Sequence, residues 1–413
     1  MKFNKWTLGL AALGVVSLAS AARADEKVSS LQTALSNTTI SGSVSASMNW
    51  DISPGGSGIT QSPGNYIPFQ ANKQDGFNLD VVRLTIAKPE DESPWASGYQ
   101  VDLMMGPDAI GYNPSITSSS TSASSSTSEL GIKQAYVTLR TPVGNGIDWK
   151  FGVFDTIIGY EVTDAASDPN YTRSWGYAIE PTEHTGVLAT YKINDQFSVS
   201  AGVANTLNSG INNRDNEAPG GINSYWHKTW MGSVTYTAPS SWGWAAGSSL
   251  YAGVVYGFGG NNSVTAYQDG NQVNYYAGAT INTPWKQFTG GVAFDYAQNA
   301  TSFDGQSVLS FNRNETLASN NGDVMAIGLY GTYKATDKLS FNGRGEYIYF
   351  QENLYDNYRH SGDGFEVTAT VEYDLWANVM TRVEARWDRI TSDQNILQHD
   401  DAVGLYANII YKF

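Results

Sequence analysis

Ionisable side chains in this 413-residue chain are few and unevenly placed. The densest run spans 155–183, where Asp155, Glu161, Asp164, Asp168, Glu180 and Glu183 surround a single base, Arg173. Elsewhere charges recur two residues apart, as in Arg344 and Glu346, or Arg382, Glu384, Arg386 and Asp388. Lys150, Lys192, Glu372, Arg83 and Arg140 stand more singly. Groups so spaced can set a local electric field or pair with one another. Covalent chemistry asks for more. The four histidines, His184, His227, His360 and His399, lack the His-x-x-x-His spacing of a metal site. There is no Gly-x-Ser-x-Gly elbow and no phosphate-cradling loop. With no cysteine there is no thiolate ligand or thiol nucleophile. No catalytic residue, metal or cofactor is therefore expected. Glu90, Asp91 and Glu92, and Asp400 and Asp401, read as solvated loop charges.

Charge balance narrows the class further. Lys plus Arg number 24 against 39 Asp plus Glu, a formal charge of −15, which suits no nucleic-acid partner. Charged residues are only 15%, whereas aromatics reach 13% and glycines number 42. Such a surface must be covered by something other than Lys and Glu. Residues 1–24 read as a signal peptide: Lys2 and Lys5 start it, Leu8 to Leu18 is a short apolar run, and Ala22-Arg23-Ala24 precedes Asp25. Losing Lys2, Lys5 and Arg23 with no acid takes the charge to −18. No later stretch approaches about 18 consecutive apolar residues, so no spanning helix is expected.

Segment 25–38 reads as a flexible or short helical lead-in, and beyond it period-two alternation dominates. Phe365, Val367, Ala369, Val371, Tyr373 and Leu375 alternate with Glu366, Thr368, Thr370, Glu372 and Asp374. Leu339 to Tyr347, Val379 to Asp388 and Val403 to Phe413 repeat the pattern. Weaker copies fall at 40–50, 77–87, 98–106, 131–141, 146–154, 184–193, 196–205, 225–237, 244–258, 272–283, 286–297 and 324–335. That makes about sixteen strands of the length a tilted barrel strand needs. Their connections alternate. Short ones include Pro142–Gly144, Asn194-Asp195, Ala238–Gly243, Thr336-Asp337 and Trp376–Asn378. Long ones include 51–76, 107–130, 155–183, 206–224 and 298–323. Only Lys88–Ser97 should be short and is not. Ser115 to Ser128, almost all Ser and Thr, reads as an external loop.

The expectation is an all-β fold: a transmembrane antiparallel β-barrel over 39–413, with short periplasmic turns and long external loops. Its apolar face would meet lipid and its polar face a water-filled lumen, because closure pairs every backbone group in the hydrocarbon. Trp50, Trp149, Trp230, Tyr256, Phe258, Tyr296, Tyr349, Trp387 and Phe413 fall near strand ends, where interfacial aromatics sit. Two rivals stand beside it, a secreted all-β binding or adhesive protein and a barrel hydrolase acting on lipids.

The ending Tyr411-Lys412-Phe413, on an alternating last strand, resembles the assembly signal of bacterial outer-membrane proteins, with Tyr411 and Phe413 as its anchors. The block Trp149 to Glu161, followed by Tyr171-Thr172-Arg173-Ser174-Trp175 and His184-Thr185-Gly186-Val187, resembles the OmpL-like β-barrel porin family. Asp75-Gly76-Phe77-Asn78-Leu79-Asp80 and Val101-Asp102-Leu103 carry the likeness towards the N-terminal part. The resemblance implies an outer-membrane porin and no catalytic residue.

On this reading 155–183 follows the fifth strand, the position at which general trimeric porins carry the loop that narrows the lumen. Glu161, Asp164, Asp168, Glu180 and Arg173 are then the candidate constriction residues. Lys150, Arg344, Glu346, Arg382 and Arg386 are candidate lumen-wall charges. An acidic loop facing a basic wall across an opening would set a transverse field and a mild cation preference. The expected partners are outer-membrane lipid, the barrel-assembly machinery and small hydrophilic solutes or ions passing by diffusion. Association into a homotrimer is left open, because a trimer contact and a lipid face are both apolar. The expected location is the outer membrane of a Gram-negative-type bacterium.

Overall fold

In the computed structural model the described residues are 37–52, 73–109, 130–205, 207, 228–258, 271–300, 321–353, 359–392 and 401–413. The signal segment, most of the lead-in and the Ser115 to Ser128 run lie outside them. The strands are β1 (Thr39–Asp51), β2 (Gly76–Lys88), β3 (Ser97–Met105), β4 (Leu130–Thr141), β5 (Ile147–Asp155), β6 (Glu183–Lys192), β7 (Phe197–Ala204) and β8 (Thr229–Thr237). They continue as β9 (Ser249–Phe258), β10 (Asn271–Asn282), β11 (Phe288–Ala300), β12 (Asn321–Lys334), β13 (Leu339–Asn353), β14 (Arg359–Trp376), β15 (Val379–Ser392) and β16 (Asp401–Lys412). Each pairs antiparallel with its chain neighbours, and β1 pairs with β16 to close the barrel. The seam is finished by reciprocal backbone bonds, Gly42 N–H to Phe413 O at 2.9 Å and Phe413 N–H to Gly42 O at 3.0 Å. The Phe413 ring lies where a side chain on residue 42 would project, so glycine is needed there.

The alternation has the inverted sense of a membrane barrel. On β15 the outward Val383 is 63% exposed, whereas the inward Arg382, Glu384, Arg386 and Asp388 are all buried. On β14 Phe365, Val367 and Val371 face out, against inward Glu366, Thr368 and Thr370. A water-soluble sheet would do the reverse. Of the aromatics expected near the interfaces, Trp50, Trp230, Tyr256, Tyr349 and Trp387 are outward and exposed. No helix among the described residues is long and apolar enough to cross a membrane.

One expected strand begins later than its hydrophobicity implies. Segment 244–258 starts at Ser249, while 225–227 of segment 225–237 lie outside the described residues. Trp244 belongs instead, with Trp242 of the expected link, to a 3-10 turn, Ser240–Ala245, in which Trp242 N–H bonds Pro239 O at 3.0 Å and Gly243 takes φ +61°. Both indoles are exposed at the barrel end, the position of interfacial aromatics rather than of a strand start. The long link 89–96 buries Glu90 instead of solvating it. Leu329 on β12 is 61% exposed on the lipid face. Leu329→Arg should lower unfolding stability by about 2–4 kcal/mol, measured by denaturant titration in phospholipid vesicles.

Candidate functional site

The segment between β5 and β6 runs through residues 156–182. It lies inside the barrel and is bonded to the inner faces of strands far from its own ends. Its outgoing limb stacks Tyr160 on Tyr330 of β12 at 4.1 Å between ring centroids. It then places Glu161 against Arg344 of β13 at 2.8 Å. Next it reaches Asp164, 3.2 Å from Arg83 of β2. Lys412 of β16 donates to Ala166 O at 3.3 Å. Crossing β15, Arg382 donates to Asp168 O at 2.7 Å and to Asn170 O at 2.8 Å. The return limb holds a five-residue helix, α1 (Trp175–Ile179), capped by Ser174 Oγ accepting from Tyr177 N–H at 2.9 Å. Asn274 of β10 donates to Ile179 O at 2.7 Å just before the limb rejoins the wall.

Two wall carboxylates hold successive loop amides. Glu384 accepts the Tyr171 N–H at 2.6 Å, and the Thr172 N–H and hydroxyl at 2.9 and 2.6 Å. Glu346 accepts the Trp175 N–H at 2.6 Å and the Gly176 N–H at 3.1 Å. A buried carboxylate needs several donors to offset its lost hydration, and a loop without strand partners has amides to spare. Each meets the other's need. The Tyr171 hydroxyl lies 2.8 Å from Ser47 Oγ and 3.0 Å from Asp80 Oδ1, sharing its one proton between them, and the Trp175 indole donates to Asp388 at 3.1 Å.

These contacts place the expected site residues. Glu161, Asp168, Arg173 and Glu180 are buried, and Asp164 is partly exposed. Asp168 pairs with Arg173 at 3.0 Å within the loop. Burial works to raise Asp164, but the Arg83 guanidinium and then the Ser167 hydroxyl bring its carboxyl below the usual range. On the wall, Arg344 pairs with Glu366 at 3.1 Å as well as with Glu161. Arg386 grips Asp388 with two N–H groups at 2.7 and 2.6 Å and donates to Arg173 O at 2.5 Å. Lys150 stands apart, its ammonium 4.7 Å from the Tyr136 ring centre.

The expected opposition of acidic loop and basic wall across an opening is thus corrected on β13 to β15. There Arg344, Arg382 and Arg386 touch the loop, and charges are matched on contact. A guanidinium stripped of water requires bonded oxygens at once, so loop and wall close upon each other. Residues 162–167 of the loop, beside Arg83, are partly exposed, as are 156, 157, 159 and 160 of the outgoing limb. Asp155 and Glu183 belong to β5 and β6, and Lys192 sits exposed at a strand end, paired with Asp195. His184 is buried, with Nε2 3.1 Å from Thr156 Oγ1.

Glu384, Glu366, Asp388, Asp80 and Asp295 are site residues that the acidic run alone did not reveal. Their signal was the inward half of each alternating strand.

Residues 37–413 match the family described as Putative beta-barrel porin-2, OmpL-like. No curated protein matches the chain. Among solved structures, the chain is similar to the outer-membrane channel DcaP of Acinetobacter baumannii. That likeness has a TM-score of 0.57 at 13% identity and covers 94% of this chain and 100% of that one. OmpF of Salmonella typhi, in complex with daunomycin, gives 0.59 at 14% identity over 91% of this chain and 97% of the other. An anion-selective porin from Comamonas acidovorans gives 0.54 at 10% identity over 91% and 99%. At such identities the likeness establishes the fold alone.

Removing the Glu384 carboxylate would orphan two buried loop amides, each at about 1–3 kcal/mol. Glu384→Ala should therefore lower unfolding stability by about 2–6 kcal/mol and speed hydrogen exchange at the Tyr171 and Thr172 amides.

Proposed function

This chain belongs to the Putative beta-barrel porin-2, OmpL-like, family of outer-membrane porins, and from that premise we propose that it is a passive diffusion pore narrowed by its loop 156–182. Small hydrophilic solutes or ions cross its lumen without energy input or covalent chemistry. The observation that carries the reading is the loop itself. It is tied at successive points to β2, β10, β13, β15 and β16, which leaves less than the full barrel cross-section for passage. The passage runs beside the partly exposed stretch 162–167 and the strands carrying Arg83 and Lys150.

A mild preference for cations follows from two features. The chain without its signal carries −18, which raises cation concentration at the mouths. Asp164 also keeps its charge at neutral pH and meets water, whereas Glu161 and Asp168 are occupied by Arg344 and Arg173. Arg83 beside Asp164 moderates the preference without removing it. Tyr411 and Phe413 serve the barrel-assembly machinery before closure, and the apolar outer face is the surface that lipid, or the contact of a homotrimer, would cover.

Reversal potentials in a salt gradient across planar bilayers test the selectivity. The expected sign is cationic, and Asp164→Asn should move the reversal potential towards zero. A clear anion preference in the unsubstituted protein would overturn it. A hydrolytic barrel would cleave phospholipid in the same bilayers, which a diffusion pore leaves intact.

A further inference from the structure

One carboxyl of the loop has no base to meet. Glu180 ends the return limb and points at Asp295 on β11, and both are at least nine-tenths buried. The two carboxyls hydrogen-bond to each other. Two glycines of the loop leave them room. Gly159, at φ +115°, would drive a Cβ to 2.2 Å from Glu180 Oε2, and a Cβ on Gly176 would come within 2.8 Å of Asp295 Oδ2.

The surroundings add acid rather than base. Glu161 faces the pair from the outgoing limb, Glu346 from β13 and Tyr276 from β10. The guanidinium next to Glu346, that of Arg344, is held by Glu161 and Glu366. Among the described residues no Lys or Arg lies within ion-pair distance of Glu180 or Asp295. Asp295 Oδ1 and the Tyr276 hydroxyl are buried with no hydrogen bond. An ionised carboxylate would pay heavily for such an oxygen. Nor can two ionised carboxylates bond to each other, since neither has a donor. One proton must lie between them. Burial, and then the Asp295 charge, push the Glu180 carboxyl well above its ordinary value.

We propose that Glu180 and Asp295 form a proton-sharing positioning pair that holds the return limb of the loop against β11, so that the width of the passage follows pH. This rests on the reading of the loop as the constriction. With the limb released, both carboxyls meet water and titrate in the ordinary range. Docked, the pair keeps its proton to higher pH. Docking is therefore fully supported in acid and is lost as pH rises through the titration of the docked pair.

Single-channel recording of the full-length protein in planar bilayers, from about pH 4 to about pH 10, tests it. The expected record is a steady, low conductance in acid that becomes larger and noisier in alkali. Glu180→Gln keeps a donor and the shape of the acid but cannot titrate, so it should abolish the alkaline rise. Asp295→Asn should do the same, and serves if the first variant does not fold into a heat-modifiable barrel. Glu180→Ala should show the alkaline behaviour at every pH. A wild-type profile retained by both amide variants would overturn the pairing, as would a flat profile in the wild-type pore. A chelator that reproduces the alkaline state would overturn it too, by putting a metal ion in the proton's place. Failure to open any pore would instead sink the porin reading and is told apart by the absence of current steps.

Discussion

A sheet inside a hydrocarbon layer has no water to bond its edge, so each backbone N–H and C=O must find a partner within the sheet. Everything else in this protein depends on that requirement. It is met where β16 returns to β1 and where the backbone of Phe413 bonds Gly42 in both directions. An even number of antiparallel strands follows directly when both ends of the chain meet at one seam on the same side. So does the division of links into two sets at opposite barrel ends. Closure also fixes which side of the wall is apolar. With lipid outside, the outward positions of β12, β14 and β15 carry Leu329, Val367 and Val383, and polar side chains are driven inward.

The inward crowding creates the second problem, and the loop solves it. Arg344 on β13 and Arg382 and Arg386 on β15 would repel one another in a narrow space. Wall acids answer part of this, with Glu366 beside Arg344 and Asp388 beside Arg386. The remainder is answered by loop carbonyls at Asp168, Asn170 and Arg173. Glu384 and Glu346, in turn, take the loop's amides. The loop is thus a set of oriented backbone dipoles fitted to a charged wall, rather than a plug of apolar packing. Trp175 and Ile179 add an apolar foothold against Ala326, Ile348 and Ile390.

The sequence made the architecture readable because a two-residue period is a local property. Phe365 to Leu375 names its own faces without knowledge of any partner strand. The start of β9 failed where an aromatic had a second use: Trp244 suits the membrane interface as well as extended chain. The acidic run was equally legible as a loop. Its partners were not, because the residues it meets lie some two hundred positions away, as Thr172 does from Glu384. Alternation reports which way a side chain points, not how far across the barrel a loop will reach. Hence Glu161 was recognised as a lumen acid, but its capture by Arg344 was not, and a field across a gap was expected where there is a bond.

Those bonds also differ in what they ask of the solvent. The contacts of Glu384 and Arg382 involve charges matched by donors or acceptors of the opposite sense, and they persist wherever the charges persist. The contact between Glu180 and Asp295 joins like groups and persists only while a proton is held between them. A loop fastened by both kinds has one end that ordinary conditions leave unchanged and one end that acidity controls. The fixed part comprises Asp168 to Thr172 on β15. The variable end is the last residues before β6, where Glu180 is joined to β11 by the proton and Ile179 to β10 by the amide of Asn274. Release there would swing a short limb about a firmly held middle, which alters the passage without unfolding the loop or opening the barrel seam.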